Sequence, residues 1–353
     1  MNSAESKENS YIQRAINALR AFYAAPWFPF FLAGLTLLCY YTSLDMVLIW
    51  FIALSGTFIL LFSKDTAPLI TLFLFMNIMI SMKNSPTLVV GTPDDYYFQP
   101  HIIAQLCAGI VLFAGSGAWR FVVALKHGKI SFTPALAGLA AFAAGIMFNG
   151  AFSSGYTPMN LAYGFFIAFL FLGVFAICSG SMRIDKNTYR RVALSFFALS
   201  ICLVVELIVA YCTYDMWNES GGIDRIKLYF GWGMYNTMGM LLVISLPSAA
   251  YLALNVKKFG WAFTVYLVVL LGCAFLSLSR QAMICGSLIF IVCAVWIIIK
   301  CKRCRAANLC IFAAAAVVAV IFVFVNIQSV KSVFEMLTNN FFFGSGRSTL
   351  YEK

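Results

Sequence analysis

The sequence predicts an all-α, polytopic transmembrane helical bundle of about eleven spans with its N-terminus on the cytoplasmic side. Three observations lead there. Of the 353 residues, 62% are hydrophobic and only 10% are charged, against roughly 25% charged in a soluble globular domain. Apolar runs recur at close to the roughly 20 residues that a helix needs to cross about 30 Å of hydrocarbon. The 24 Lys and Arg residues are also distributed unevenly among the segments between those runs. So few charges cannot cover a water-facing surface, and a soluble fold is excluded. The mean hydropathy of +0.90 agrees.

Residues 1–26 form a polar N-terminal segment without the apolar core of a cleavable signal peptide. Ser10 is placed to cap a helix whose apolar residues Ile12, Ala15, Ile16, Leu19 and Phe22 recur at helical spacing, with Arg14 and Arg20 off that stripe. This is the pattern of an amphipathic helix lying in the cytoplasmic interface. The transmembrane domain, 27–326, carries apolar spans at 27–43, 45–62, 67–82, 101–124, 133–148, 159–179, 192–213, 236–255, 261–279, 282–299 and 308–326. The two shortest, 67–82 and 133–148, control the parity of everything downstream. Residues 327–353 begin an external loop.

Lys and Arg concentrate in cytoplasmic loops near span ends. With the N-terminus inside, the inner segments hold Lys7, Arg14, Arg20, Lys64, Arg120, Lys126, Lys129, Arg183, Lys186, Arg190, Arg191, Lys257, Lys258, Lys300, Lys302, Arg303 and Arg305, which is 17 of the 24. The outer segments hold Lys83, Arg225, Lys227, Arg280, Lys331, Arg347 and Lys353. The preference repeats from loop to loop without inversion. Topology and anionic lipid therefore account for the net charge of +11, and no nucleic-acid partner is expected.

The sequence contains 11 cysteines, most of them in or at the ends of apolar spans, where they read as buried thiols. Cys301 and Cys304 form a C-x-x-C in KCKRCR, but a zinc site needs a second pair of ligands and none is near. No carboxylate cluster on the outer face suggests a metal, because Asp94 and Asp95 are adjacent rather than convergent. Neither metal nor cofactor is expected.

Polar chemistry stands out at three outer places. The loop 215–239 mixes acids, Arg225, Lys227, glycines and five aromatics. Its plain reading is an interfacial aromatic belt, and its functional reading is a platform on which rings stack on sugars. Arg280, in FLSLSRQAMICG, occupies a short polar break between two apolar helices, a costly position unless it faces water, a partner or a ligand. The terminal stretch NNFFFGSGRSTLYEK places Arg347 after Gly344, Ser345 and Gly346, whose backbone can cradle an anion. A guanidinium fork suits phosphate oxygens, so cations at these three places fit a phosphate- or diphosphate-bearing substrate.

These three segments, in this order and on one face, resemble the O-antigen ligase and polysaccharide polymerase family of bacterial membrane glycosyltransferases. Lys227 to Asn236, KLYFGWGMYN, is similar to the family's R-x-x-G-x-F-G-N-P-N-like stretch: Gly233 and Asn236 match, Tyr235 stands for the proline, and either Lys227 or Arg225 fills the cationic place. Ser277 to Ala282 is similar to its T-x-S-R-G-like stretch with Gln281 for Gly, and Ser345 to Tyr351 to its S-G-R-x-x-x-W-like stretch with Tyr for Trp. The resemblance implies glycan transfer from a polyprenyl-diphosphate-linked donor to a hydroxyl of a glycan or lipid acceptor, at the external face of the bacterial cytoplasmic (inner) membrane. It assigns Arg280 and Arg347 as catalytic cations that neutralise the diphosphate leaving group, and Lys227, Arg225 and Asn236 to substrate binding. Membrane lipids are the remaining partners.

Family members continue beyond the third motif through a large external loop, which bears a histidine considered to be the general base, and then add at least one more span. This chain stops at Lys353, so the resemblance implies the N-terminal part of a member, a truncated form, with glycan transfer expected of the full-length member. His127, in an inner loop, and His101, at the outer start of a span, do not replace that histidine. The rival class is a membrane transporter or flippase, for which Glu206 is the only mid-span acid. A non-catalytic membrane fragment is the third.

Overall fold

In the computed structural model, residues 2–42, 44–81, 100–127, 134–152, 185–213 and 235–325 are described, together with positions 173 and 182. Among them no strand occurs, and the regular elements are α1 Asn2–Ala24, α2 Phe28–Thr42, α3 Asp45–Phe62, α4 Pro68–Ser81, α5 Pro100–Lys126, α6 Pro134–Phe152, α7 Lys186–Thr213, α8 Tyr235–Asn255, α9 Gly260–Leu276, α10 Arg280–Lys300 and α11 Arg305–Val325. By length and composition α5, α7, α8 and α10 can each cross a membrane, and α1 with α2, bent by 82° at their junction, makes up to a fifth; shorter apolar helices accompany them. The fold is therefore all-α, with several helices able to span a bilayer.

Ten of these helices fall on the apolar runs read from the sequence, and the run at 159–179 lies outside the described residues. The largest shift is at α7, which starts at Lys186 rather than at 192. Asp185 explains it: its Oδ1 accepts from the backbone N–H of Thr188 at 2.8 Å and from the Thr188 hydroxyl at 3.1 Å, capping a polar first turn. These bonds hold the Asp185 carboxyl below the usual carboxylate range, the Thr188 amide contributing most. Ser10 is a correction. The first helix starts at Asn2 and Ser10 lies inside it, because Ala4, Glu5, Lys7 and Glu8 are good helix formers and carry the helix past the expected cap.

The chain divides into two compact units, Met1–Met79 with Thr92–Ser195 and Ile80–Gly91 with Phe196–Lys353. In unit 1, α3 and α5 run parallel. Trp50 Nε1 donates to Gln105 Oε1 at 3.1 Å, Ala53 faces Gly109, Gly56 faces Phe113, and Arg120 donates to the Lys64 carbonyl at 3.3 Å. A Cβ at Gly56 would lie 2.3 Å from the Phe113 ring, which would have to shift to admit it. The helices α4 and α7 leave from one end: Arg191 pairs with Asp65 at 3.4 Å and Thr71 meets Ser195 at 2.7 Å.

At that end three arginines close the carbonyls of other segments. Arg20 donates through Nε and Nη2 to the Phe62 carbonyl, Arg191 donates to Ala24 at 3.0 Å, and Arg120 reaches Lys64. The elbow between α1 and α2 is filled by Phe22 edge-on to Tyr23, Trp27, Phe28 and Phe31, while Tyr23 donates to Ser55 in the interior at 3.0 Å. Of the stripe expected on α1, Ile12 and Leu19 are exposed, while Phe22 packs into this elbow.

Unit 2 is an alternating bundle. Phe197 stacks edge-on with Phe263 and Tyr266, Ser200 meets the Tyr266 hydroxyl at 3.0 Å, and Tyr211 donates to the Leu276 carbonyl at 2.7 Å, so α7 and α9 are parallel. Gly239 faces Ala282 and Gly286 faces Val243, so α8 and α10 are parallel. Thr264 donates to Asn308 at 3.0 Å, joining the first turns of α9 and α11, and Phe290 packs edge-on against Phe312. As a result α7 ends, α8 starts, α9 ends and α10 starts at one end of unit 2, and α11 climbs toward it.

Candidate functional site

The centre of that end is the three-residue turn between α9 and α10. Ser277 ends α9, with its amide bonded to the Cys273 carbonyl at 2.9 Å. Leu278 follows at φ 55°, the one non-glycine residue at positive φ among the described residues. L side chains visit that region rarely, and glycine is the usual choice where a helix ends this way. The Leu278 amide bonds to the Phe275 carbonyl at 3.0 Å.

Each serine has a structural duty. The Ser277 hydroxyl donates to the Ala274 carbonyl at 2.7 Å and accepts from the Ser279 amide at 3.4 Å, standing between two groups that a glycine-ended helix would join directly. Ser279 is the N-cap of α10, and its hydroxyl accepts from the Ala282 amide at 3.4 Å. Both serines are fully buried. The turn closes on α8 at Gly239, where a Cβ would lie 2.6 Å from Ser277 Oγ, 2.7 Å from Ala282 Cβ and 2.9 Å from Ser279 Cβ. Only a glycine permits this approach.

The purpose of so tight a turn is visible in what it presents. Arg280 is the first residue of α10, partly exposed, with no hydrogen bond or ion pair to any described residue. A cation at a helix N-terminus meets the positive end of the helix dipole, which favours anions and disfavours Arg. α10 has no acidic residue in its first turn to offset it. An anion at this point would meet both the guanidinium and the amides of the helix start.

Asn236, the second residue of α8, is exposed at the same end, less than one turn before Gly239. The structure therefore places Arg280 and Asn236 at the same end of unit 2. Arg225, Lys227 and Arg347 lie outside the described residues, as do Gly233, Asp94 and Asp95. The segment carrying Arg225 and Lys227 joins the end of α7 to the start of α8, and the segment carrying Arg347 follows α11, so both depart from this end in sequence.

The remaining candidates lie on other elements. His101 is exposed in the first turn of α5, and His127 Nδ1 lies 2.7 Å from the Val123 carbonyl at the end of α5. Glu206 is buried within α7, one turn from Cys202. Cys301 and Cys304 are half-buried in the hairpin between α10 and α11, and among the described residues no group of three metal-ligating side chains occurs.

Two contributors escaped sequence reasoning. Gly239 carried a weak signal, since Ala282 and Gly286 on α10 form a small-x-x-x-small face that implies a close helix partner. Tyr211, whose hydroxyl ties the end of α7 to the carbonyl of Leu276 beside the turn, carried none beyond its place at a span end. In comparisons with known proteins, the chain matches no family model, no curated protein and no solved structure.

Proposed function

We propose that this chain is the membrane domain of a glycan transferase that uses a polyprenyl-diphosphate-linked donor, acting in bacterial cell-surface polysaccharide biosynthesis as a ligase or polymerase. The observation that carries the reading is Arg280, at the start of α10 with no partner among the described residues and held by a turn whose two serines are buried. As the bond between the anomeric carbon and the diphosphate breaks, negative charge grows on the leaving oxygens, and a preorganised guanidinium stabilises it without reorganisation. Asn236 is placed to hydrogen-bond donor or acceptor at the same end. Arg225 or Lys227 and Arg347 complete the cationic set in this reading, and the acceptor hydroxyl gives its proton to a base that the described residues do not supply.

The topology belongs to the same proposal. Eleven spans with the N-terminus inside put Arg280 at the external face of the cytoplasmic membrane. The reading is supported by the alternation within each unit: α3 with α5, and α4 with α7, in the first; α7 with α9, and α8 with α10, in the second.

The test is glycan transfer by the full-length protein in cells that make a lipid-linked donor. Arg280→Ala and Arg347→Ala should each lower transfer by about 10²–10³-fold while membrane insertion is unchanged; full transfer in both variants overturns the reading. One observation favours a second reading, transport. Glu206 places a carboxyl inside a spanning helix, where such groups mark proton or cation paths. Loss of substrate flux in Glu206→Gln, with the Arg280 variant fully active, would select it.

A further inference from the structure

Residues 235–325 contain seven cations and not one acid. Arg280 accounts for one. The other six, Lys257, Lys258, Lys300, Lys302, Arg303 and Arg305, lie at the opposite end of unit 2, in and beside the loop between α8 and α9 and the loop between α10 and α11. These two loops are held next to each other by a buried tie: Thr264 in the first turn of α9 donates to Asn308 Oδ1 in the first turn of α11, and both residues are fully buried.

All six cations are exposed, and none makes a side-chain hydrogen bond or ion pair with a described residue. Lys258 rests over the ring of Phe259, 5.8 Å from its centroid. Neither α9 nor α11 has an acidic residue in its first turn, and the N-cap of α9, Phe259, offers no side-chain acceptor. The amides that start both helices thus also await an anion.

Next to the charges comes an apolar collar. Phe259 is 54% exposed, Trp261 46%, Trp296 42% and Ile299 59%. Inorganic phosphate would satisfy the cations and leave this collar bare. A zwitterionic lipid would cover the collar and leave the charge uncompensated. An anionic phospholipid does both, with indole rings at the depth where Trp usually gathers.

We propose that this end of unit 2 is a docking surface for anionic phospholipid, its phosphodiester among the two basic loops and its glycerol and upper acyl region against Trp261 and Trp296. The inference requires only that the helices of unit 2 span a bilayer and is independent of glycan transfer.

The experiment titrates the whole purified chain, in neutral detergent micelles, with phosphatidylglycerol, phosphatidylcholine or inorganic phosphate, and counts retained lipid by native mass spectrometry. Phosphatidylglycerol should be preferred over phosphatidylcholine, with the preference shrinking as salt rises. The triple substitution Lys302→Gln, Arg303→Gln, Arg305→Gln should weaken phosphatidylglycerol retention on the order of 10²-fold, at about fivefold per cation. Removing cations can disturb insertion, so Trp261→Leu with Trp296→Leu, which leaves every charge in place, serves as the second variant and should weaken retention severalfold. Equal binding of the two lipids, or a preference unchanged in both variants, overturns the proposal. Displacement of phosphatidylglycerol by millimolar inorganic phosphate also overturns it, by showing a phosphate site in place of a lipid one.

Discussion

In unit 1, Arg20, Arg120 and Arg191 end on protein acceptors: the carbonyls of Phe62, Lys64 and Ala24, and the carboxylate of Asp65. In unit 2, Arg280 and the six cations of the basic loops end on none among the described residues. The side chains are chemically alike, so the difference lies in what surrounds them. Where an arginine closes a helix end or pairs with an acid, its task is architectural and its removal leaves an orphaned carbonyl. Where it stands in a segment with no acid across 91 residues, 235–325, its charge is left for a partner, proposed above to be diphosphate at one end and lipid at the other.

The largest expected effect tests the unpaired class. Arg280→Ala should lower transfer by about 10²–10³-fold yet leave thermal stability unchanged or slightly raised, since it removes a cation from the positive end of α10. Loss of stability in step with activity would place Arg280 in the architectural class.

Next in size is the support beneath it. Gly239→Ala puts a Cβ within 3 Å of three atoms that belong to short side chains and cannot swing away, so it should destabilise the chain by about 1–3 kcal/mol, as overpacking does. Thermal unfolding in detergent reads this directly, and transfer should fall with it. Gly272, at which a Cβ meets nothing within 4 Å, is the control: Gly272→Ala should be neutral or mildly stabilising.

Ser277, Ser279 and Arg280 illustrate how far the sequence could be read. That they form a polar break between two apolar helices, with Arg280 partly exposed, was legible, because apolar runs delimit helices and an arginine between them needs a reason. That the two serines are buried, one completing the end of α9 and the other capping α10, was not. Neither was the need for Gly239, which depends on how near α8 comes to the turn, a distance that no periodicity encodes. Most apolar helices were legible to within a few residues, because apolar runs delimit them. Helix starts were less so, since α1 and α7 begin in polar segments, where helix propensity in one and the Asp185 cap in the other decide. The substrate-side residues Arg225, Lys227 and Arg347 fall outside the described residues, and their roles rest on the resemblance alone.

A smaller effect tests the architectural class. Arg191→Ala orphans the Ala24 carbonyl and Asp65 together and should cost about 1–2 kcal/mol in unfolding experiments, without altering phosphatidylglycerol retention at the unit 2 loops. A drop in that retention would blur the distinction between the two kinds of cation.

The smallest effect is a pH dependence at the start of α7. Asp185 has a folded-state pKa below its ordinary value, chiefly through the Thr188 amide. Its stabilising contribution is therefore present above the ordinary carboxylate range and is lost as pH falls through the folded value. Amide exchange at Thr188 should accelerate on acidification, and Asp185→Asn, which keeps a capping oxygen without a titrating group, should flatten that response.

The central claim is that Arg280 is held ready for a diphosphate, and equilibrium binding of a polyprenyl diphosphate to the purified chain tests it most directly, with the corresponding monophosphate as comparison. The wild-type chain is predicted to favour the diphosphate, and Arg280→Ala to lose at least tenfold in affinity for it while its affinity for the monophosphate changes less. Equal diphosphate affinity in the two proteins would contradict the claim.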